Sequence, residues 1–433
     1  MIFSRYNKLY YSEKNGPLLF NTRTKFFAQI SIELFKKLQG AEHDSFIDIE
    51  KYEIEAPLKK QLLGAKVFVE NTEDEDFYNL KKYLRYSKAF SYRSLGLILV
   101  PTLNCNFKCP YCYESGRGKT MTYQVIDQVI EFVKRKAPET IDLCWHGGEP
   151  LMAFDKIVCV LDRLHNDIKA NIRSHSMVTN GYLLDKEKCK ELFRYKINHI
   201  QITLDGNKEF HNKSRIHRQG LPTFETIIGN IDNVFTYIPD CHVTIRINIR
   251  QGNKSLFPEL YYELKKRWQN QNYTINIAFV NDINNSCNVA CLPNKGKIAF
   301  LKEMYEKYGI EDIKVDISPQ IGGCAATCVN SIIIGPEGEI YKCWVDVGKK
   351  ERIISNIFDG NIQNLLLPSY IVGSDMFSDP KCHNCTFLPL CDGGCIVRRY
   401  NKLHQNTQYD PCPIDRVDFD SLLDFYALKY KKK

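Results

Sequence analysis

At 433 residues the chain exceeds one ordinary hydrophobic core, so two or three domains are expected. Hydrophobic residues at 44% and charged residues at 25% exclude a disordered or fibrous chain, and the formal charge of +8 is too mild and dispersed for a nucleic-acid surface. No stretch is long and apolar enough to span a membrane, and Met1-Ile2-Phe3-Ser4-Arg5-Tyr6 does not read as a signal peptide, so a cytoplasmic protein is expected, without membrane or nucleic-acid partners.

Three zones follow in chain order. Residues 1–92 hold no cysteine. Aromatic-rich alternation from Lys8 to Phe20 around Asn15-Gly16-Pro17 predicts a β-hairpin. Helices are expected near Ser31 to Leu38, stopped by Gly40, and near Leu58 to Leu63, with a short strand over Ala65 to Glu70. Beyond the acidic run Glu70 to Asp76, Phe77, Leu80 and Leu84 mark the apolar face of a further helix. This texture is that of a small α+β binding module.

From 93 to 310 strands and helices alternate. The strands are Leu95 to Pro101, Ile141 to Trp145, His175 to Thr179, Ile200 to Leu204, His242 to Ile249 and Thr274 to Val280. The helices are Tyr123 to Lys136, Lys156 to Ile168, Lys186 to Tyr195, Thr223 to Phe235, Leu256 to Trp268 and Gly296 to Lys307. Short apolar strands alternating with helices predict a parallel α/β sheet, and six such units suit a partial (β/α)6 barrel with its chemistry at the carboxyl ends of the strands. From 311 to 433 helical periodicity thins and eight cysteines accumulate, so this loop-rich zone needs metal staples.

Seventeen cysteines are too many for chance, and a reducing compartment disfavours disulfides. After the first barrel strand the loop reads Thr102-Leu103-Asn104-Cys105-Asn106-Phe107-Lys108-Cys109-Pro110-Tyr111-Cys112. Three thiolates on one loop can hold three irons of a [4Fe–4S] cube and leave the fourth open. A three-cysteine zinc site competes, although no fourth ligand lies in the loop. The end of the second strand carries His146-Gly147-Gly148-Glu149-Pro150, where glycines permit close backbone approach and a carboxylate can accept from an ammonium. The third strand ends in Thr179-Asn180-Gly181 and the fourth in Thr203-Leu204-Asp205-Gly206, followed by His211 and Arg215. Arg246 and Asn248 share one face of the fifth strand.

The loop resembles the radical S-adenosylmethionine (SAM) superfamily, whose C-x3-C-x-aromatic-C signature it matches with Tyr111 as the aromatic. The resemblance implies that Cys105, Cys109 and Cys112 hold the catalytic cluster and that SAM chelates its open iron. It implies cleavage of SAM to a 5′-deoxyadenosyl radical, with electrons from a reductant such as flavodoxin or ferredoxin. Gly147, Gly148, Glu149 and Pro150 look like the family's motif for the SAM amino group. Asn180, Thr203, Asp205 and Arg215 resemble positions that touch its ribose and carboxylate.

Further on, Cys328-x9-Gly338-x4-Cys343, Cys382-x2-Cys385-x5-Cys391-x3-Cys395 and Cys412 match the seven-cysteine pattern of the SPASM extension. With Cys324 they number eight, enough for two fully ligated [4Fe–4S] clusters and three clusters in all. The resemblance groups Cys324, Cys328, Cys343 and Cys395 in one auxiliary cluster, and Cys382, Cys385, Cys391 and Cys412 in the other. Cys324 lies outside the pattern; without it the first auxiliary cluster keeps an open iron. A zinc ribbon is the rival for Cys382 to Cys395. Cys144, Cys159, Cys189 and Cys241 read as small core residues, and Cys287 and Cys291, three residues apart in a loop, are too few to make a cluster.

Enzymes of this kind modify peptides and proteins. One expectation is a maturase that installs a thioether, carbon–carbon or related crosslink on a ribosomally made precursor peptide. The other is an anaerobic sulfatase-maturating enzyme that makes formylglycine. Residues 1–92 look like a winged-helix module for a leader peptide, which favours the first. Sulfatase maturases carry a catalytic aspartate directly after the cysteine matching Cys343; here Trp344 stands there, with Asp346 the nearest acid downstream. An Fe–S electron carrier or scaffold is the non-enzyme alternative, and it predicts a damaged Gly-Gly-Glu-Pro motif where this one is intact.

Overall fold

The computed structural model describes residues 1–41, 48–52, 54–114, 118–281, 289–313, 324–359, 364–407 and 410–430. The chain forms two compact units. One joins Met1–Phe90, Asn294–Cys328 and Pro368–Lys433, and the other joins Ser91–Pro293 and Val329–Leu367. These units follow contacts rather than the three consecutive stretches 1–92, 93–310 and 311–433, because both later zones divide between them.

In the first unit, β1 (Ile2–Phe3) pairs antiparallel with β5 (Phe68–Val69). The hairpin of β2 (Asn7–Ser12) and β3 (Gly16–Asn21) turns where Gly16 takes a φ of 72°, a left-handed backbone that glycine adopts readily. A strand not legible in the sequence, β4 (Phe26–Gln29), adds to β3, so β2 and β4 are the two edges of this sheet. Helices α1 (Ile32–Ala41) and α2 (Ala56–Gly64) cover one side, with Leu19, Leu34, Leu38, Leu62 and Phe68 as their core. A second core packs Phe20 against Ile298, Phe387, Leu390, Leu422 and Leu423, joining the hairpin to the cysteine-rich segment within the same unit.

Helix α3 (Glu73–Ala89) corrects an expectation. Leu80 and Leu84, assigned to its inner face, are 52% and 42% exposed, while Asp74, Tyr78, Lys81, Arg85 and Ala89 are buried. The inward stripe keeps helical spacing but is chosen by side chains that find acceptors at depth. Lys81 donates to the Pro389 carbonyl at 3.0 Å and Arg85 to the Thr327 carbonyl at 3.0 Å.

The second unit is built on a nine-stranded sheet. Six parallel strands lie side by side in chain order: β6 (Ser94–Leu99), β7 (Thr140–Trp145), β8 (Ile172–Thr179), β9 (His199–Leu204), β10 (His242–Ile249) and β11 (Tyr273–Phe279). Between them run α4 (Tyr123–Lys136), α5 (Phe154–Asn166), α6 (Lys186–Arg194), α7 (Lys208–Ser214), α8 (Phe224–Tyr237) and α9 (Phe257–Arg267). In α4, Val125, Ile126, Val129, Ile130 and Val133 make one buried stripe, and the Thr122 hydroxyl caps its first turn by accepting from the Val125 N–H. The strand and helix bounds agree with the sequence reading to within a few residues, with α7 as an additional helix.

One finding reaches beyond that reading. β12 (Ser331–Ile334), from the zone expected to be loop-rich, pairs parallel with β6, and β13 (Glu339–Tyr341) and β14 (Ser355–Asn356) extend the same sheet antiparallel. Ile332, Ile333 and Ile334 are buried there, a run too short for periodicity to announce a strand.

Candidate radical-generating site

Side chains capable of chemistry collect at the carboxyl ends of β6 to β10, the crevice where open α/β sheets bind ligands. The loop after β6 carries Cys105, Cys109 and Cys112, all half-buried. It is held by Thr102, whose hydroxyl donates to the Lys119 carbonyl at 2.9 Å, and by a bridge between Phe107 and His217. The Cys112 N–H donates to the Cys109 carbonyl at 3.2 Å, so a tight turn joins the last two cysteines.

The loop after β7 lies directly against it. A Cβ on Gly148 would stand 2.3 Å from the Asn104 carbonyl oxygen, and one on Gly147 would stand 2.4 Å from that of Thr102. Both glycines are therefore required for contact between the two loops. Gly148 N–H donates to Thr102 and Glu149 N–H to Asn104.

Glu149 is fully buried. Its Oε1 accepts from the Leu151 N–H at 3.1 Å and the Thr179 hydroxyl at 2.7 Å, and its Oε2 from the Asn180 N–H at 2.7 Å. Burial pushes its pKa up, while these three bonds pull the other way. The carboxylate thus ties the ends of β7 and β8 together. Pro150 is buried at the start of the following turn. Asn180 donates to Asn106 Oδ1 at 2.7 Å and points its amide at Cys105 Sγ from 4.0 Å, linking β8 to the cluster loop.

A second network lies at the ends of β9 and β10. The Tyr111 hydroxyl bonds the Asp205 carboxylate and accepts from Arg215 Nη1 at 3.0 Å and Asn248 Nδ2 at 3.4 Å. Ser214 donates to the same Asp205 oxygen at 2.9 Å, and Asn253 secures the Asp205 carbonyl at 3.1 Å. Asp205 and Arg215 are buried. Thr203 lies one turn of the pleat earlier, in register with Arg246. The sequence reading thus separated residues that the structure joins: Tyr111 of the cluster loop is a member of the Asp205–Arg215 network.

Beside the cluster loop stands a third group that sequence reasoning did not assemble. Trp344, 42% exposed, stacks on His146 with centroids 5.0 Å apart and planes at 23°. The Tyr113 hydroxyl is 3.4 Å from His146 Nε2, and a Glu114 oxygen is 3.8 Å from Nδ1. Burial, aided by the Arg246 charge, holds His146 neutral with a pKa of about 4. The adjacency of His146 to Gly147 was the available signal.

Residues 99–254 match the Radical SAM superfamily. This segment is a radical SAM domain. Relatives of the chain include the cysteine-type anaerobic sulfatase-maturating enzyme of Clostridium perfringens, 26% identical over 388 residues, which span 78% of this chain and 95% of that one. Among solved structures, native anSMEcpe with bound AdoMet shares the fold with a TM-score of 0.60 at 21% identity, covering 78% of this chain and 97% of that one. Streptococcus suis SuiB bound to precursor peptide SuiA gives 0.52 at 13% identity, covering 95% and 99%.

A radical SAM domain implies SAM and a [4Fe–4S] cluster as cofactors, and the site fits them. Three thiols share one loop, and buried polar atoms nearby have no hydrogen-bond partner among the described residues: Asn106 Nδ2, Asp205 Oδ1 and Arg215 Nε. Each such atom costs about 1–3 kcal/mol unless a ligand satisfies it, and SAM supplies an ammonium, a carboxylate and ribose hydroxyls.

Cys382, Cys385, Cys391 and Cys412 line one cavity with Arg399 and Arg416. Arg399 binds the Asp379 carboxylate and donates to the Gly393 carbonyl at 2.7 Å, and the Cys395 N–H donates to the Pro411 carbonyl at 2.9 Å, closing the segment around them. Cys324 and Cys328 flank a single turn, Ala325–Thr327, where Thr327 donates to the Cys324 carbonyl at 2.7 Å. Cys324 and Cys395 are exposed, and Cys328 and Cys343 half-buried. Among the described residues no three His, Cys, Asp or Glu side chains converge as ligands of a single metal ion. Cys189 and Cys241 are buried, Cys144, Cys159 and Cys291 half-buried, and Cys287 lies outside the described residues. No helix among the described residues is long and apolar enough to cross a membrane.

Proposed function

We propose that this radical SAM enzyme modifies a ribosomally made precursor peptide, installing a crosslink on an unactivated side chain. The observation that carries the reading is the neighbourhood of Cys343. Trp344 occupies the position of a sulfatase maturase's base, and its indole lies over His146. Asp346, the next acid, is 1% exposed and faces Arg352 at 4.0 Å, so it is turned inward as a structural ion pair.

Bound SAM and its cluster would supply the hydrogen-abstracting 5′-deoxyadenosyl radical. The chain's own residues position and shield. Cys105, Cys109 and Cys112 present the thiolates; Asn106, Asp205 and Arg215 offer unsatisfied polar atoms to SAM; the Trp344–His146 stack stands beside the loop that carries the thiols. Cys382, Cys385, Cys391 and Cys412 would hold an auxiliary cluster within the first unit, as an electron acceptor or substrate anchor. In the first unit the edges β2 and β4 suit a winged-helix-like module that takes a leader peptide by strand addition. The match of SuiB, bound to a precursor peptide, over 95% of this chain supports that role. The reductant is a small protein such as flavodoxin or ferredoxin, and the enzyme works in the cytoplasm.

A second reading, formylglycine formation on a sulfatase, is favoured by the 26% identity to the C. perfringens enzyme over 95% of its length. The two are separated by offering the reconstituted enzyme, SAM and reductant either a precursor peptide encoded beside its gene or a cysteine-containing sulfatase peptide. Mass spectrometry should show the precursor losing two hydrogen atoms per crosslink and the sulfatase peptide unchanged. An aldehyde on the sulfatase peptide would replace the first reading with the second.

A further inference from the structure

Helix α3 buries two cations where a core helix would bury apolar side chains. Lys81 is 5% exposed and Arg85 2%. Lys81 pairs with no carboxylate among the described residues; it donates to the Pro389 carbonyl at 3.0 Å, two residues before Cys391. Arg85 places Nε 3.3 Å from Asp392, directly after Cys391, and Nη1 3.0 Å from the carbonyl of Thr327, directly before Cys328. Its Nη2 has no hydrogen-bond partner among the described residues.

Burying a cation costs several kcal/mol unless a counter-charge offsets it. Here two carbonyls and one part-exposed carboxylate are the visible partners, and two buried cations stand one helical turn apart, where like charges repel. An anionic group of more than one charge beside Cys391 resolves the imbalance. A cube with four thiolates is a dianion when oxidised and gains a further negative charge on reduction. Nearby cations stabilise the reduced form more than the oxidised one, which raises the potential.

We propose that Lys81 and Arg85, behind the Arg399 and Arg416 that line its cavity, are further counter-ions of the cluster held by Cys382, Cys385, Cys391 and Cys412, and that they raise its reduction potential. Their role is one of positioning charge, with no contact to substrate. The inference rests on the assignment of a cluster to those four cysteines.

The test is an anaerobic redox titration of the reconstituted holoenzyme, followed by electron paramagnetic resonance, with iron counted per chain. Lys81→Met should shift the midpoint of one auxiliary cluster to a more negative value at unchanged iron content. Lys81→Arg should keep the parental midpoint, as should Lys82→Met, whose side chain is exposed on the same helix. An unshifted midpoint in a fully loaded Lys81→Met protein overturns the proposal. If Lys81→Met loses iron, retention by Lys81→Arg supports a requirement for charge, and loss in both assigns Lys81 to packing and overturns it. A parental protein that holds a single cluster would instead remove the assignment underneath.

Discussion

Glu149 offers a quantitative test of how the Gly-Gly-Glu-Pro motif works. Its carboxylate, with no exposed surface, is the acceptor for two backbone N–H groups, Leu151 and Asn180, and for the Thr179 hydroxyl. Glu149→Ala leaves all three donors buried. The hydroxyl can turn, but the amides cannot, and each bare donor costs about 1–3 kcal/mol, roughly 2–6 kcal/mol together. At about 2–4 °C per kcal/mol for a unit of this size, the melting temperature should fall by roughly 5–20 °C. Glu149→Gln keeps one acceptor oxygen but turns an amide donor toward the Asn180 N–H, for a smaller loss of about 1–3 kcal/mol. Differential scanning fluorimetry of the reconstituted variants measures both. If Glu149→Ala melts with the parent while SAM affinity collapses, the carboxylate is a ligand to SAM and the strut described above is refuted.

Gly148→Ala places a methyl group 2.3 Å from the Asn104 carbonyl oxygen and 2.6 Å from that of Leu103. Backbone cannot yield cheaply, so a loss of about 1–3 kcal/mol or more is expected, along with reduced iron in the Cys105–Cys112 loop by colorimetric assay. His175 accepts from Trp145 Nε1 at 2.9 Å, faces the Tyr195 carbonyl at 2.9 Å, and is held by burial at a pKa of about 4. The unfolded chain protonates near 6.5, so its contribution is whole above that pH and is lost as pH falls toward 4. The loss amounts to about 3 kcal/mol. A non-titrating His175→Gln protein, though less stable at neutral pH, should show a shallower fall in melting temperature over that window, and an equal slope in both proteins would contradict this.

Much of the scaffold was legible because β6 to β11 and their helices are long, strongly periodic elements whose pattern leaves little choice. The Cys105–Cys112 loop and the Gly-Gly-Glu-Pro motif stand out in the sequence by their spacing, and folding brings the two loops into contact. What the sequence hid depends on contacts across it. Periodicity put Leu80 and Leu84 on the inner face of α3, yet tertiary acceptors at Pro389 and Thr327 turned Lys81 and Arg85 inward instead. β12 is four residues long and joins the large sheet by pairing with β6, more than two hundred residues earlier. Tyr111 reads as a signature aromatic, but its hydroxyl meets Asp205 and Arg215 through folding alone. The stack of Trp344 on His146 likewise unites two loops that no local pattern connects.

The most direct test of the account is the production of 5′-deoxyadenosine from SAM by the anaerobically reconstituted, reduced protein, quantified by liquid chromatography. The parental chain should produce it, and replacement of Cys105, Cys109 and Cys112 by Ala should abolish it while leaving iron in the remaining cysteine sets. Continued production by the triple variant, or none from a fully iron-loaded parent, would contradict the assignment of this loop as the site of radical generation.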